Sequence, residues 1–375
     1  MKKIFTTLTT ALLLLSAALI GCTRDGRSPH NPHNKRGDNS RTEAKDLLIE
    51  EVYYFGNYHH AITANEKAAG KKANWKQGSE ERYNKYIRIT NPTKKDISLD
   101  GMGIAISLYR PEAKPDFSDA VAPSVYNDSL AISKLYLFPK GESKNTLKPG
   151  DTRIIATAAI NPTEAEKKRA EKWEEQELDF SALLDLTVAD YELNDENPAV
   201  PNLTPFFDLS AFIQGDYDAE DFDPFDFPNS TGIALVRLGT TDEELLNAIM
   251  AVNPKNRKTD KKGKYTRPTP YKSKHNPYAD YRWALFLPND WITDFVSISA
   301  KDNAQWVVNA KLDQSSNGVN QNAGDEKVNV AGNYDAWGKY AGLSLTRKND
   351  GNKIVDTNDS NKDFEVKAAS LAKKK

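Results

Sequence analysis

The chain is 375 residues long, and its 51 lysines and arginines nearly balance its 53 acids, leaving a formal charge of −2. That balance excludes a protein built to hold nucleic acid, which would show a basic face or stripe in its composition. Hydrophobic residues at 38% suffice for a packed core, while the single cysteine excludes internal disulfides and thiolate metal clusters. The length permits one large all-β domain or two smaller ones.

Lys2 and Lys3 precede an uncharged run from Ile4 to Ile20, which is followed by Gly21 and Cys22. A basic start, an apolar centre and small residues at the end make a secretory signal, too short and too early to be a spanning helix. Leu19-Ile20-Gly21-Cys22 resembles the lipobox of bacterial lipoproteins. The resemblance implies removal of residues 1–21 and an acylated Cys22 as the new N-terminus, leaving 354 residues with a formal charge of −4 once Lys2 and Lys3 are lost. It also favours the outer membrane, because Thr23 stands where retained lipoproteins often carry Asp. Thr23-Arg24-Asp25-Gly26 leaves the face of that membrane open. Residues 22–45 hold almost nothing apolar and cannot offset their ordering entropy, so they read as a flexible tether. As a coil it spans roughly 25–30 Å, and about 80 Å when stretched. Arg36-Gly37-Asp38 within it is too short a match to an adhesion tripeptide to carry weight, and His30 and His33 alone make a poor metal site.

Folded structure is predicted from Asp46. Leu47 to Phe55 reads as a strand stopped by Gly56, and the polar stretch 57–82 reads as loop. Tyr86–Thr90 alternates with Ile87 and Ile89 on one face, and Asn91-Pro92-Thr93 is a turn. Ile97 and Leu99 alternate again before Asp100-Gly101. Met102, Ile104, Ile106 and Leu108 then occupy every second position, with Gly103, Ala105 and Ser107 between them. Leu147-Lys148-Pro149-Gly150 is a second turn, leading into the strand 152–156. Helices are predicted over 163–177, as an exposed insertion, and over 241–252, capped by Thr241 with acids in its first turn. Later strands are read at 232–238, 281–287, 295–299, 305–308 and 343–347, with long loops at 253–280 and 313–341. No fixed-period repeat points to a solenoid or propeller.

The search for chemistry yields little. A hydrolytic triad needs a nucleophile, a histidine and an orienting acid. Beyond the tether only His59, His60 and His275 are present, and no Gly-x-Ser-x-Gly elbow accompanies them. His59 and His60 read as exposed loop residues which, if extended, point to opposite faces and cannot chelate one metal together. Gly101-x-Gly103 lacks the third glycine and the following helix of a dinucleotide fingerprint. The 255–274 stretch mixes cations with Tyr265 and Tyr271, a combination suited to a polyanion or glycan, though a solvated loop explains it as well. The sharpest local feature is the acidic and aromatic run Asp216–Phe227. Asp216, Asp218, Asp221 and Asp223 are its calcium candidates, although it lacks the glycine and final glutamate of an EF-hand. Phe222, Phe225 and Phe227 alternate with the acids and are predicted to bury against the domain. Phe222 and Phe225, with Tyr265 and Tyr271, are otherwise the candidate ligand or partner contacts. Asp356-x-Asn358-x-Ser360 followed by Asp363 is also calcium-like, but turn caps account for those side chains.

Several strands in this order resemble lamin-tail-type domains. Leu48–Gly56 resembles their opening strand, Tyr86–Thr93 the second strand with its Asn-Pro turn, and Ile97–Ile104 the third element. Leu147–Ala156 resembles the Leu-x-Pro-Gly turn and next strand, and Leu345–Arg347 with Asp356–Phe364 the closing segment; Arg88 departs from the usual Glu. More closely, with Asn197–Leu203 and Leu287–Ile292 included, residues 46–366 are similar to a family of uncharacterised Bacteroidetes-type lipoproteins. The resemblance implies a mainly β, immunoglobulin-like (lamin-tail-like) β-sandwich with long insertions, about 157–231 and 241–280, and one or two short helices. A basic tail at 367–375 follows the domain. The expected function is a non-catalytic binding or accessory module, lipid-anchored through Cys22, that captures a ligand or docks on an outer-membrane uptake barrel. The alternative is a secreted hydrolase acting on glycans or peptides through carboxylates in the insertions. No cofactor other than calcium is suggested.

Overall fold

A computed structural model describes residues 44–56, 58–78, 84–111, 128–214, 225–226, 230–250, 265–269, 282–299, 306–315, 340–351 and 353–371. The described protein is mainly β with few helices, arranged in several sheets, none of them closed. The first large sheet has the order Tyr191–Glu192, Thr152–Ala156, Tyr86–Thr90, Leu48–Tyr53, Leu343–Arg347, Phe364–Ala368. Its pairings are antiparallel except at the Tyr191–Glu192 edge. The second runs Thr266–Thr269, Arg282–Pro288, Ser129–Leu137, Met102–Ser107, Thr231–Arg237, Ile292–Ile298, and Thr204–Asp208 also pairs with Ser129–Leu137.

The strand pleat sorts side chains between layers, because successive residues point to opposite faces. Ile87, Ile89, Ile155 and Leu345 of the first sheet share one core with Ile104, Ile106, Ile233, Leu235, Val296 and Ile298 of the second. The intervening Ala105, Leu135, Leu137, Ala234 and Val236 face a second core, covered by the Leu209–Gln214 and Asp242–Met250 helices and by Trp291 and Phe295. The small residues between Met102, Ile104 and Ile106 therefore also face a packed layer. On the neighbouring strand, a β carbon added at Gly232 would lie 2.4 Å from the Phe295 ring. The outer face of the first sheet is covered in turn by Leu184, Leu186, Ala189 and Ala369, packed on Tyr53 and Tyr86.

A bulge in the first strand explains a break in its pattern. Leu47, Ile49, Val52 and Tyr54 all enter the central core, although Ile49 and Val52 are three apart. The register with Tyr86–Thr90 shifts between Ile49 and Glu51, and the extra residue turns the later side chains over. The two turn motifs seen in the sequence meet in space. Asn91 Oδ1 accepts from Thr93 N at 3.0 Å, and Asn91 Nδ2 donates to Leu147 O at 2.8 Å.

Strands 86–90, 152–156 and 343–347 lie where the sequence placed them, and the helix near 241 is capped by Thr241 Oγ1, which accepts from Glu244 N at 3.1 Å. Other expectations are corrected. Within the 57–82 stretch, read as loop, Tyr58–Thr63 and Asn74–Gln77 are paired strands, and Tyr58, His59, Ala61 and Ile62 are buried. The 163–177 helix stops at Lys172. Trp173 closes it, Glu174 takes a left-handed φ of 54°, and Glu175–Asp179 returns as an edge strand on Tyr58–Thr63. The 157–231 region, expected as an insertion, adds Tyr191–Glu192 and Thr204–Asp208 to the two large sheets and Leu203 and Phe225 to the central core. Residues 306–308 are not in a strand, whereas Thr266–Thr269 within the expected loop is one. Short helices also occur at Ala64–Ala68, Leu209–Gln214 and Ser360–Asp363, more than the one or two expected. The last strand, Phe364–Ala368, runs past the expected boundary at 366, and Ser370 N donates to Glu51 Oε1 at 2.9 Å, so the start of the basic tail belongs to the fold.

Candidate functional site

Two buried charged clusters stand out. The first is built on Arg347, the last residue of its strand. Alternation places Arg347 on the core face with Leu343 and Leu345, so a guanidinium enters an apolar layer and needs acceptors there. Nε donates to Ile49 O at 2.7 Å and Nη1 to Val355 O at 3.1 Å. Nη2 pairs with Asp294 of the second sheet, and Nη1 lies 3.6 Å from Asp356 and 3.5 Å from Asp363. The Phe364 ring lies under the guanidinium, 4.4 Å from centroid to Cζ. Asp294 Oδ2 also accepts from Ile49 N at 2.7 Å, so the pair ties two strands of the first sheet to the second sheet.

The calcium-like segment folds over this cluster, with the side chains of Asp359, Ser360 and Asp363 bonded to protein groups. Asp363 accepts from Thr357 N and from Thr357 Oγ1, the latter at 2.6 Å. Burial pushes its carboxyl up to about 6 against the opposing pull of Arg347 and Thr357. Asp359 caps the short helix, accepting from Asn361 N and Lys362 N. Burial raises that carboxyl, but hydrogen bonds from Lys362 and Ser315 win and hold it below the usual range. Asp313 accepts from Ser315 Oγ at 2.6 Å and Ser360 Oγ at 2.8 Å, tying 306–315 to the same loop. Among the described residues no three His, Cys, Asp or Glu side chains are placed to hold a metal ion together.

The second cluster surrounds His59. The sequence reading of an exposed loop histidine is corrected: His59 lies in a strand paired on both edges, and its side chain is fully buried under Phe180, Arg169 and Glu175. His59 Nε2 lies 2.7 Å from Glu175 Oε2 and 3.1 Å from Arg169 Nη2. Arg169 Nε donates to the buried Glu166 at 2.6 Å, and Phe180 stacks on the imidazole at 5.1 Å. Burial holds the imidazole below its ordinary value, against the pull of Glu175. His60 points the other way, its ring 5.6 Å from Trp75, as strand geometry requires.

The remaining candidates fall as follows. Cys22, Asp216, Asp218, Asp221, Phe222, Asp223, Phe227, Tyr271 and His275 lie outside the described residues. Phe225 is buried in the central core, edge-on to Tyr136 at 4.8 Å, with its backbone held from both sides by Asn194. Its neighbour Asp226 pairs with the buried Lys85 at 2.8 Å, so this acid of the run is neutralised by a side chain. Tyr265 is buried against Trp291 at 5.1 Å. Both aromatic candidates within the described residues thus turn their rings inward. Sequence reasoning missed Glu175 and Arg169, which lay inside a presumed helix. It quoted Arg347 without its role, though the alternation with Leu343 and Leu345 carried that signal.

Residues 148–370 match the family described as "Protein of unknown function (DUF4876)", and the chain belongs to it. The match begins inside the 46–366 resemblance, with the first strands outside it. Among solved structures, a DUF4876 family protein from Bacteroides thetaiotaomicron VPI-5482 aligns over 86% of this chain and 71% of that one, at 17% identity and a TM-score of 0.49. No curated protein matches.

Proposed function

We propose that this is a lipid-anchored binding or accessory module of the cell envelope, held on the outer membrane by acylated Cys22 and the 22–45 tether. Its two facing sheets would form a sandwich of the immunoglobulin-like, lamin-tail-like class, and its partner would be an outer-membrane uptake barrel. The observation that carries the binding reading is the distribution of exposed apolar side chains. Of five large hydrophobic residues exposed among the described residues, Trp173, Leu178 and Val188 lie within one 16-residue stretch, with Trp173 62% exposed. A large apolar side chain left in water forgoes roughly 1.5–3 kcal/mol of burial. Tryptophan is also among the residues that most often anchor interfaces.

The test is co-purification of the native lipoprotein from detergent-solubilised membranes, compared with a Trp173→Ser/Leu178→Ser variant. The reading expects a stoichiometric barrel partner with wild type and its loss with the variant, at unchanged thermal stability. Capture of the same partner by both proteins would refute the assignment of this surface. For the anchor, Cys22→Ser should leave the protein soluble or unprocessed; normal processing and membrane retention of the mutant would refute lipidation.

A further inference from the structure

Among the described residues, the side chains that hydrogen-bond to or stack on the His59 ring come from one excursion of the chain, residues 163–180. The helix Thr163–Lys172 provides Glu166 and Arg169, the edge strand Glu175–Asp179 provides Glu175, and Phe180 stacks beyond it. Little else docks the helix, of which only Glu166 and Ala170 are buried. The edge strand is also weakly registered. Among the described residues it pairs only with Tyr58–Thr63, and it bulges between Gln176 and Asp179, where Glu177 takes a φ of 53°. On the opposite flank Lys76 stands across from His59, but its ammonium pairs with Glu66 at 2.8 Å.

The ring sits among groups with incompatible demands. Glu175 at 2.7 Å requires a proton on Nε2, whereas Arg169, a donor only, faces the same nitrogen at 3.1 Å. Nδ1 is buried and has no hydrogen-bond partner. The neutral Nε2–H form satisfies Glu175 and leaves Nδ1 as an unused acceptor. A second proton would create a buried N–H without an acceptor, and a cation beside Arg169. Two carboxylates, Glu166 and Glu175, attract that cation, while burial and Arg169 oppose it. Opening the excursion relieves the conflict by letting water reach Nδ1 and letting Arg169 move away.

We propose that His59 is a proton-operated latch, which holds the 163–180 excursion on the small sheet at neutral pH and releases it when the imidazole takes up a second proton. Release would move Trp173 and Leu178 with the excursion, yet the latch stands whether or not those side chains meet a partner.

Hydrogen exchange by mass spectrometry on the full processed chain tests this at about pH 7.5 and about pH 5.5, a window that spans ordinary histidine titration. Protection factors corrected for intrinsic exchange should fall about tenfold or more in 163–180, while Ser129–Leu137 stays protected. His59→Gln keeps a donor toward Glu175 and cannot take up a proton, so its excursion should hold at both pH values. Arg169→Gln removes the opposing cation and should move release to lower pH. The latch is overturned by a wild-type change below about twofold, by equal acid release in His59→Gln, or, if that variant does not fold, by an unmoved midpoint in Arg169→Gln.

Discussion

The Arg347 and His59 clusters are both buried, and they differ in how completely the central side chain of each is answered. Arg347 sits where two sheets meet, and its guanidinium reaches two backbone carbonyls and three carboxylates. His59 joins a thin outer excursion to a three-stranded sheet and keeps one ring nitrogen without a hydrogen bond. A buried side chain whose donors are met loses them all when its surroundings open, whereas one with an unmet buried atom gains a water partner there and opposes opening less. The central cluster should therefore report on global stability and the outer one on local opening.

The largest expected effect is at Arg347. Arg347→Met leaves Asp294, Asp356 and Asp363 buried without their cation, and removal of one partner from such a cluster costs roughly 3–5 kcal/mol. Urea denaturation should show the whole protein destabilised; a loss under about 1 kcal/mol would erase the contrast between the clusters.

Next comes a difference in the sign of the pH response. Asp363 has a native value raised from 3.8 to about 6, so its contribution is fully present below 3.8 and is lost as pH rises through 6. That shift is worth at most about 3 kcal/mol, and acidification from neutrality should stabilise the protein at this site. His59 is depressed, so its contribution is present above its unfolded value of 6.5 and is lost as pH falls. Urea midpoints across about pH 4–7 should thus show an acid-side gain in wild type that is missing from Asp363→Asn. Parallel curves for the two proteins would show that Asp363 titrates normally.

The smallest effect belongs to Glu66, a control outside both clusters. It pairs with Lys76 and closes a capping box with Thr63, and these contacts lower its carboxyl to about 2. Its contribution is present above 4.5 and fades as pH falls toward 2. Glu66→Gln should cost about 1 kcal/mol or less in the same denaturation assay. A cost equal to that of Arg347→Met would mean that burial does not set the ranking.

Much of the central architecture was legible because period-two alternation survives wherever one strand face is apolar and the other is small or polar. Tyr86–Thr90 and Met102–Ser107 are of this kind. Tyr58–Thr63 hid its pattern because Tyr58, His59, Ala61 and Ile62 are buried on both faces, and a histidine in such a strand looks polar in a sequence window. Glu175–Asp179 was invisible for a different reason. Its composition favours helix, and only pairing with Tyr58–Thr63, distant in sequence, makes it a strand. The candidate site was less legible still. The conspicuous acids of 216–223 lie outside the described residues, while each buried cluster joins one distant residue, His59 or Asp294, to charged side chains of a later segment, 166–175 or 347–363.

The position of the closing strand bears on how the chain reaches its fold. Leu343–Arg347 lies between the first strand, Leu48–Tyr53, and the last, Phe364–Ala368, and Glu51 bonds Ser370 across a separation of 319 residues. Contacts of such span form slowly, because the intervening chain must first be gathered. A nascent chain that has not yet delivered Phe364 lacks the strand covering Leu343–Arg347, and leaves open backbone along an edge able to pair with a neighbouring molecule. Escape from aggregation during folding therefore depends on residues 364–370 docking before two such edges meet, which makes truncations ahead of Phe364 more damaging than the exposure of that segment suggests.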